Sequence, residues 1–183
     1  MRVDGRRRPR WLVAGVVLVL AGAYGWWLLA PTGEPAVAFP GGADFGISLP
    51  STMADKPYSI GAIALCVNGV DSAIVDSVQP GPGAALTVSA FAVRPHMGTF
   101  GAEQVSLRAA GFGNGRVVTG QCSAGEGSEI GVEFTKRGSA TARTDGLLVH
   151  WHTGSSSGIT RVPLHLVLCQ GRDPAVASCE SIR

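Results

Sequence analysis

From Tyr58 onward, apolar and polar positions alternate in short runs broken by glycine, proline and asparagine. The runs are YSIGAIALCV (58–67), VDSAIVDSV (70–78), ALTVSAFAVR (85–94), RVVTGQC (116–122), EIGVEFTK (129–136), GLLVHWH (146–152) and ITRVPLHLVLC (159–169). Alternation with period two marks a strand with one buried face. Asn68-Gly69, directly after the first run, is a hairpin signal. About seven strands at this spacing predict an all-β, immunoglobulin-like antiparallel β-sandwich over residues 58–183. One short helix or helical turn is expected at Ala102–Ala110, ended by Gly111.

A different pattern fills residues 11–30. WLVAGVVLVLAGAYGWWLLA is twenty residues without a charge, and at 1.5 Å per residue a helix of that length spans about 30 Å, the hydrocarbon core of a bilayer. Trp11 stands at one end and Trp26-Trp27 near the other, as amphipathic rings do at the two interfaces. Arg2, Arg6, Arg7, Arg8 and Arg10 precede it with Asp4 as the single acid, and such flanks stay in the cytoplasm. The reading is a cytoplasmic basic tail (1–10), a transmembrane signal anchor (11–30) contacting the lipid bilayer, and an extracytoplasmic remainder. A cleaved signal peptide competes, because Ala36-Val37-Ala38 fits a small-x-small site. The apolar run is longer than the usual h-region, which favours the anchor. Ala21 and Gly25 have the small-xxx-small spacing that lets two such helices approach.

Between anchor and domain, residues 31–57 hold five prolines and four glycines without periodicity. They read as a semi-extended linker.

Charge sharpens the picture. Only 15% of residues are charged, against about 25% in an average globular chain. Once the first ten residues are set aside, ten basic face twelve acidic residues. A nucleic-acid binder needs a basic patch on its folded part, and that role is set aside. The four cysteines, Cys66, Cys122, Cys169 and Cys179, all fall beyond the anchor, where an oxidising compartment favours disulfides. Cys169 and Cys179 flank a segment whose Asp-Pro favours a reversal and are paired. Cys66–Cys122 follows by elimination. No C-x-x-C pair suggests zinc.

The candidate chemistry lies in LLVHWHTGSSSG (147–158). Leu147, Val149 and Trp151 share the core face of one strand. Val162, Leu164, Leu166 and Leu168 share that of the next. His150, His152 and His165 then fall on the non-core face, and a hairpin would bring them near one another as a zinc or copper site. Pro163 marks the returning strand as an edge or an irregular one. The plainer expectation is a hairpin with Trp151 buried and its imidazoles wet. His96-Met97 is a weaker copper signal. Ser155-Ser156-Ser157 lacks the strand-turn-helix context of a nucleophile elbow, and GFGNG (111–115) lacks that of a phosphate loop. Glu126, Glu129 and Glu133 are expected on an exposed strand.

The arginine flank, the Val/Ala/Gly-rich helix, the Pro/Gly spacer and the cysteine-bearing β domain, with FAVRP (91–95) and VPLHLVLC (162–169), carry one resemblance. The chain resembles the small signal-anchored extracytoplasmic proteins of high-GC Gram-positive bacteria. That resemblance implies an address and no activity. A tryptophan between the paired cysteines, expected of an immunoglobulin domain, is absent between Cys66 and Cys122. The expected function is a non-enzymatic, cofactor-free interaction or accessory module of the cell envelope with a protein partner. An envelope copper- or zinc-binding protein is the alternative.

Overall fold

The computed structural model describes residues 36–50, 52–96, 98, 100–170 and 179. The expected basic tail and transmembrane helix lie outside these residues. Among the described residues no helix is long and apolar enough to cross a membrane.

The described chain is all-β and forms two five-stranded sheets. In the first, β3 (Tyr58–Val67) pairs with β8 (Ser128–Lys136), which pairs with β5 (Leu86–Arg94). The other side of β3 carries β1 (Val37–Ala38) at one end and β6 (Ala102–Glu103) at the other. In the second sheet the order is β2 (Phe45–Leu49), β10 (Ser157–Leu168), β9 (Ala142–His152), β4 (Ala73–Pro80) and β7 (Val117–Val118). Every pair is antiparallel except β2 with β10, which run parallel. The expectation of a purely antiparallel arrangement is corrected there.

The linker reading of residues 31–57 is corrected as well. Val37 is fully buried, and β1 pairs Val37 with Val67 and Ala38 with Cys66. β2 runs beside β10 from Leu164↔Phe45 to Leu168↔Leu49. Two-residue and five-residue ladders leave no periodic trace in a sequence. Their signal is the partner strand.

The core follows the alternation, with shifts where strands bulge. In β3 the buried apolar positions are Tyr58 and Ile60, then Ile63, Leu65 and Val67. The change of parity falls at Gly61-Ala62, two residues opposite one in β8, where the register steps from Ile60↔Val132 to Ile63↔Ile130. Such a bulge swaps the face on which later side chains lie. Ala62 takes φ 57° to make it. In β10 a second bulge lies between Val162↔Leu147 and His165↔Asp145. Pro163 sits in this bulge, just before the β2 ladder begins at Leu164. The proline, which has no N–H to give, therefore marks an irregular strand and not an edge.

Across the sandwich, Trp151 Nε1 donates to Thr160 Oγ1 at 3.0 Å, and Thr160 Oγ1 donates to the Val37 carbonyl at 2.6 Å. This relay joins β9 and β10 of one sheet to β1 of the other. The two disulfides are Cys66–Cys122 and Cys169–Cys179, the pairing expected from the sequence.

The helix expected at Ala102–Ala110 is replaced by β6 and a single helical turn. Ala110 N–H donates to Ser106 O at 3.0 Å, and Ser106 Oγ accepts from Ala109 N–H at 3.2 Å. Gly111 ends the turn at φ 80°. Leu107 and Phe112, flanking that turn, pack with Ala92 in a small second core. It lies on the outer face of the first sheet because Gly131 of β8 has no side chain there. A Cβ at Gly131 would stand 2.6 Å from the Phe112 ring.

Candidate functional site

The three histidines do not converge. The β9–β10 hairpin pairs His152 with Ser157 and His150 with Ile159 across the four-residue loop 153–156, whereas His165 lies opposite Asp145. Asp145 is five positions from His150 along β9, about 17 Å at the rise of a strand. The hairpin register, set at its loop, carries His165 to the far end of the strands. Each histidine meets its own surroundings instead. His152 Nδ1 is 2.7 Å from Asp76 Oδ1. His165 Nδ1 is 3.2 Å from Asp145 Oδ1, with Nε2 3.7 Å from Asp44. His150 Nε2 is buried without a hydrogen-bond partner in a half-buried side chain. Among the described residues no group of three His, Cys, Asp or Glu is placed to hold a metal.

The remaining candidates are absorbed by local structure. Thr153 Oγ1 accepts from Ser155 N–H at 3.3 Å and Ser156 N–H at 3.0 Å, which makes the serine run a hairpin turn. Gly158 of that run serves the core: a Cβ there would stand 2.5 Å from Trp151 Cζ2. Gly115 of GFGNG accepts from Val93 N–H at 2.7 Å. His96 lines an open cleft of about 320 Å3 with Pro95, Thr119, Gly120, Glu126 and Gly127. Met97 lies outside the described residues.

The carboxylate of Glu129, expected to be exposed, is fully buried. Glu129 points to the outer face of β8, as alternation requires, yet its side chain is 0% exposed. Gly98, beyond the end of β5, lies over it. Oε1 accepts from Ala62 N–H at 2.7 Å. Oε2 accepts from Gly98 N–H at 2.6 Å, Arg94 Nε at 2.7 Å and Arg94 Nη2 at 2.6 Å. Arg94 in turn lies 4.3 Å over the Phe112 ring. All donors come from the strand bulge, the neighbouring strand and the covering loop, so this carboxylate fastens three segments together. Its neighbour Glu133 accepts from Ser89 Oγ at 2.7 Å and Leu107 N–H at 2.9 Å. Glu129 and Glu133 thus hold the cover in place; neither is set up as an acid-base pair.

Lys136 was not legible as special. It lies on the inner side of β8 with its side chain fully covered, and Nζ donates to Ser139 O at 3.1 Å and Ala140 O at 3.2 Å. Desolvation by burial lowers its pKa below the ordinary 10.5.

A groove lies between the edges of the two sheets. β5 is the outer strand of the first sheet, and β7 covers β4 only at Ala73 and Ile74. The uncovered edges of β4 and β5 face each other across a groove of about 310 Å3, lined by Ser77, Val78, Val88, Ser89, Ala90, Phe91 and Arg116. Arg116 lies 4.6 Å over the Phe91 ring and donates to Asp76 O at 3.1 Å. Both edges bulge, between Val75 and Ser77 and between Val88 and Ala90. Bulges protect edges from indiscriminate strand pairing and here leave a shaped groove with an aromatic floor and a cation at its rim. No protein-family model, curated protein or solved structure matches the chain.

Proposed function

We propose that the chain is a single-pass, membrane-anchored extracytoplasmic protein whose immunoglobulin-like sandwich acts without catalysis, as an interaction or accessory module of the cell envelope. The groove between the edges of β4 and β5 carries the reading, because it offers backbone, aromatic and cationic contacts to a protein partner without a reactive group. Phe91 and Arg116 are residue types enriched at binding hot spots. The sheet orders β1-β3-β8-β5 and β4-β9-β10 support the immunoglobulin-like description, since they follow the A-B-E-D and C-F-G order of that sandwich. The two disulfides support an oxidising address.

β1 weighs against cleavage at the small-x-small site after Ala38. Cleavage after Ala38 would remove Val37, whose side chain is fully buried and whose carbonyl accepts from Thr160. The test is a full-length chain with a photo-crosslinking residue at Ser89 and an export-dependent reporter enzyme after Arg183. Reporter activity outside the cytosol, with one discrete crosslinked envelope protein that disappears in Arg116→Glu, is the expected result. A reporter active only in the cytosol overturns the reading.

A further inference from the structure

The described residues carry four large exposed hydrophobic side chains: Met53, Ile74, Val117 and Ile159. Three of them share one face and one end of the second sheet. Val117 pairs with Ile74, Ile74 with His152, and His152 with Ser157, two residues before Ile159. Their exposures are 41% for Ile74, 45% for Val117 and 56% for Ile159. Val118, Ala73, Val75 and Thr160, their chain neighbours, are buried, so all three point outward by alternation.

The same end of the strands receives the chain. Val37 pairs with Val67, the last residue of β3, and its carbonyl accepts from Thr160, the residue next to Ile159. Because β1 begins at Val37, only the six residues 31–36 separate it from Ala30, the last of the apolar run. Even fully extended, six residues reach only about 20 Å. A linker of 27 residues, as the sequence alone suggests, would have left the domain free of any such limit.

We infer that Ile74, Val117 and Ile159 form a lipid-contacting patch that rests in the headgroup region of the bilayer to which the chain is anchored. This rests on the anchor reading above. Three aliphatic side chains are too few to hold a freely diffusing protein on a membrane. A short tether makes the contact intramolecular, so a weak contact is populated at high effective concentration. Resting on this face would leave the groove of β4 and β5 with a fixed orientation to the membrane.

The test uses the full-length chain reconstituted into phosphatidylcholine–phosphatidylglycerol vesicles. An environment-sensitive fluorophore is attached in turn to Ile159→Cys and, at the opposite end of the strands, to Arg137→Cys. A lipid carrying a shallow nitroxide is the quencher. The expected result is several-fold stronger quenching at position 159 than at 137, reduced to the level of 137 by Ile74→Ser with Val117→Ser. These positions are exposed, so the substitutions leave the core intact, which is checked by circular dichroism. Equal, weak quenching at both positions, in a chain that resists alkaline extraction, overturns the patch and leaves the anchor standing. A chain that alkali extracts overturns both. A signal at 159 that rises with the number of chains per vesicle and ignores the nitroxide assigns the patch to a second copy and also overturns the proposal.

Discussion

Arg94 and Glu129 face each other in register across β5 and β8, with Nη2 2.6 Å from Oε2. The carboxylate is wholly enclosed and the guanidinium 27% exposed. Removing one member of an enclosed pair leaves the other uncompensated, at a cost of about 3–5 kcal/mol. Partial exposure of Arg94 puts Glu129→Ala near the lower end, at about 3 kcal/mol, because solvent screens what remains. Urea denaturation of the detergent-solubilised chain measures this. A loss under about 1 kcal/mol would mean that the carboxylate is not the fastening between the bulge, the strand and the covering loop.

The glycine opposite Trp151 is a packing residue, although its sequence context is that of a flexible loop. Gly158→Ala places a methyl 2.5 Å from Trp151 Cζ2 and must displace the indole from Thr160. The expected cost is about 1–3 kcal/mol, the usual price of overpacking, with an altered near-ultraviolet circular dichroism band. Gly154→Ala in the same loop meets nothing within 4 Å and is expected to be neutral. Equal stability of the two variants would contradict the packing.

The two disulfides differ in the chain they close. Cys66 and Cys122 are 56 positions apart, Cys169 and Cys179 only 10. Loop-closure entropy in the unfolded state then makes the first worth about 1.5 kcal/mol more than the second. Melting temperatures of the two Cys→Ala double variants test the order. If the variant lacking Cys169–Cys179 is the less stable, unfolded-chain entropy is not what separates them.

Lys136 gives a pH signature. Its folded pKa lies below the ordinary 10.5 because burial disfavours the charged amine. Between those two values the unfolded chain binds more protons than the folded one, so this residue's contribution to stability rises with pH through that window. Relative to Lys136→Met, the native chain is expected to gain stability as pH climbs toward 10.5. Parallel pH–stability curves would show that the amine is not desolvated.

Much of the sandwich was legible in alternation. Leu147, Val149, Trp151 and the even positions from Val162 to Leu168 are buried as the period requires. What escaped depended on distant partners. β1 and β2 are strands only because β3 and β10 pair with them. Glu129 reads as solvent-facing by parity, and nothing local reveals that Ala62, Arg94 and Gly98 close over it. His165 shares a face with His150 and His152, but face and register are separate quantities, and the hairpin register places it opposite Asp145. The groove between β4 and β5 was the least legible feature, since it arises between the edges of two different sheets.

The most direct test of an uncleaved, exported and oxidised domain is the intact mass of the protein taken from cell membranes after alkylation without reductant. The expected mass is that of a chain still carrying residues 1–38, with none of Cys66, Cys122, Cys169 and Cys179 alkylated. A chain beginning after Ala38, or one alkylated at all four cysteines, would contradict it.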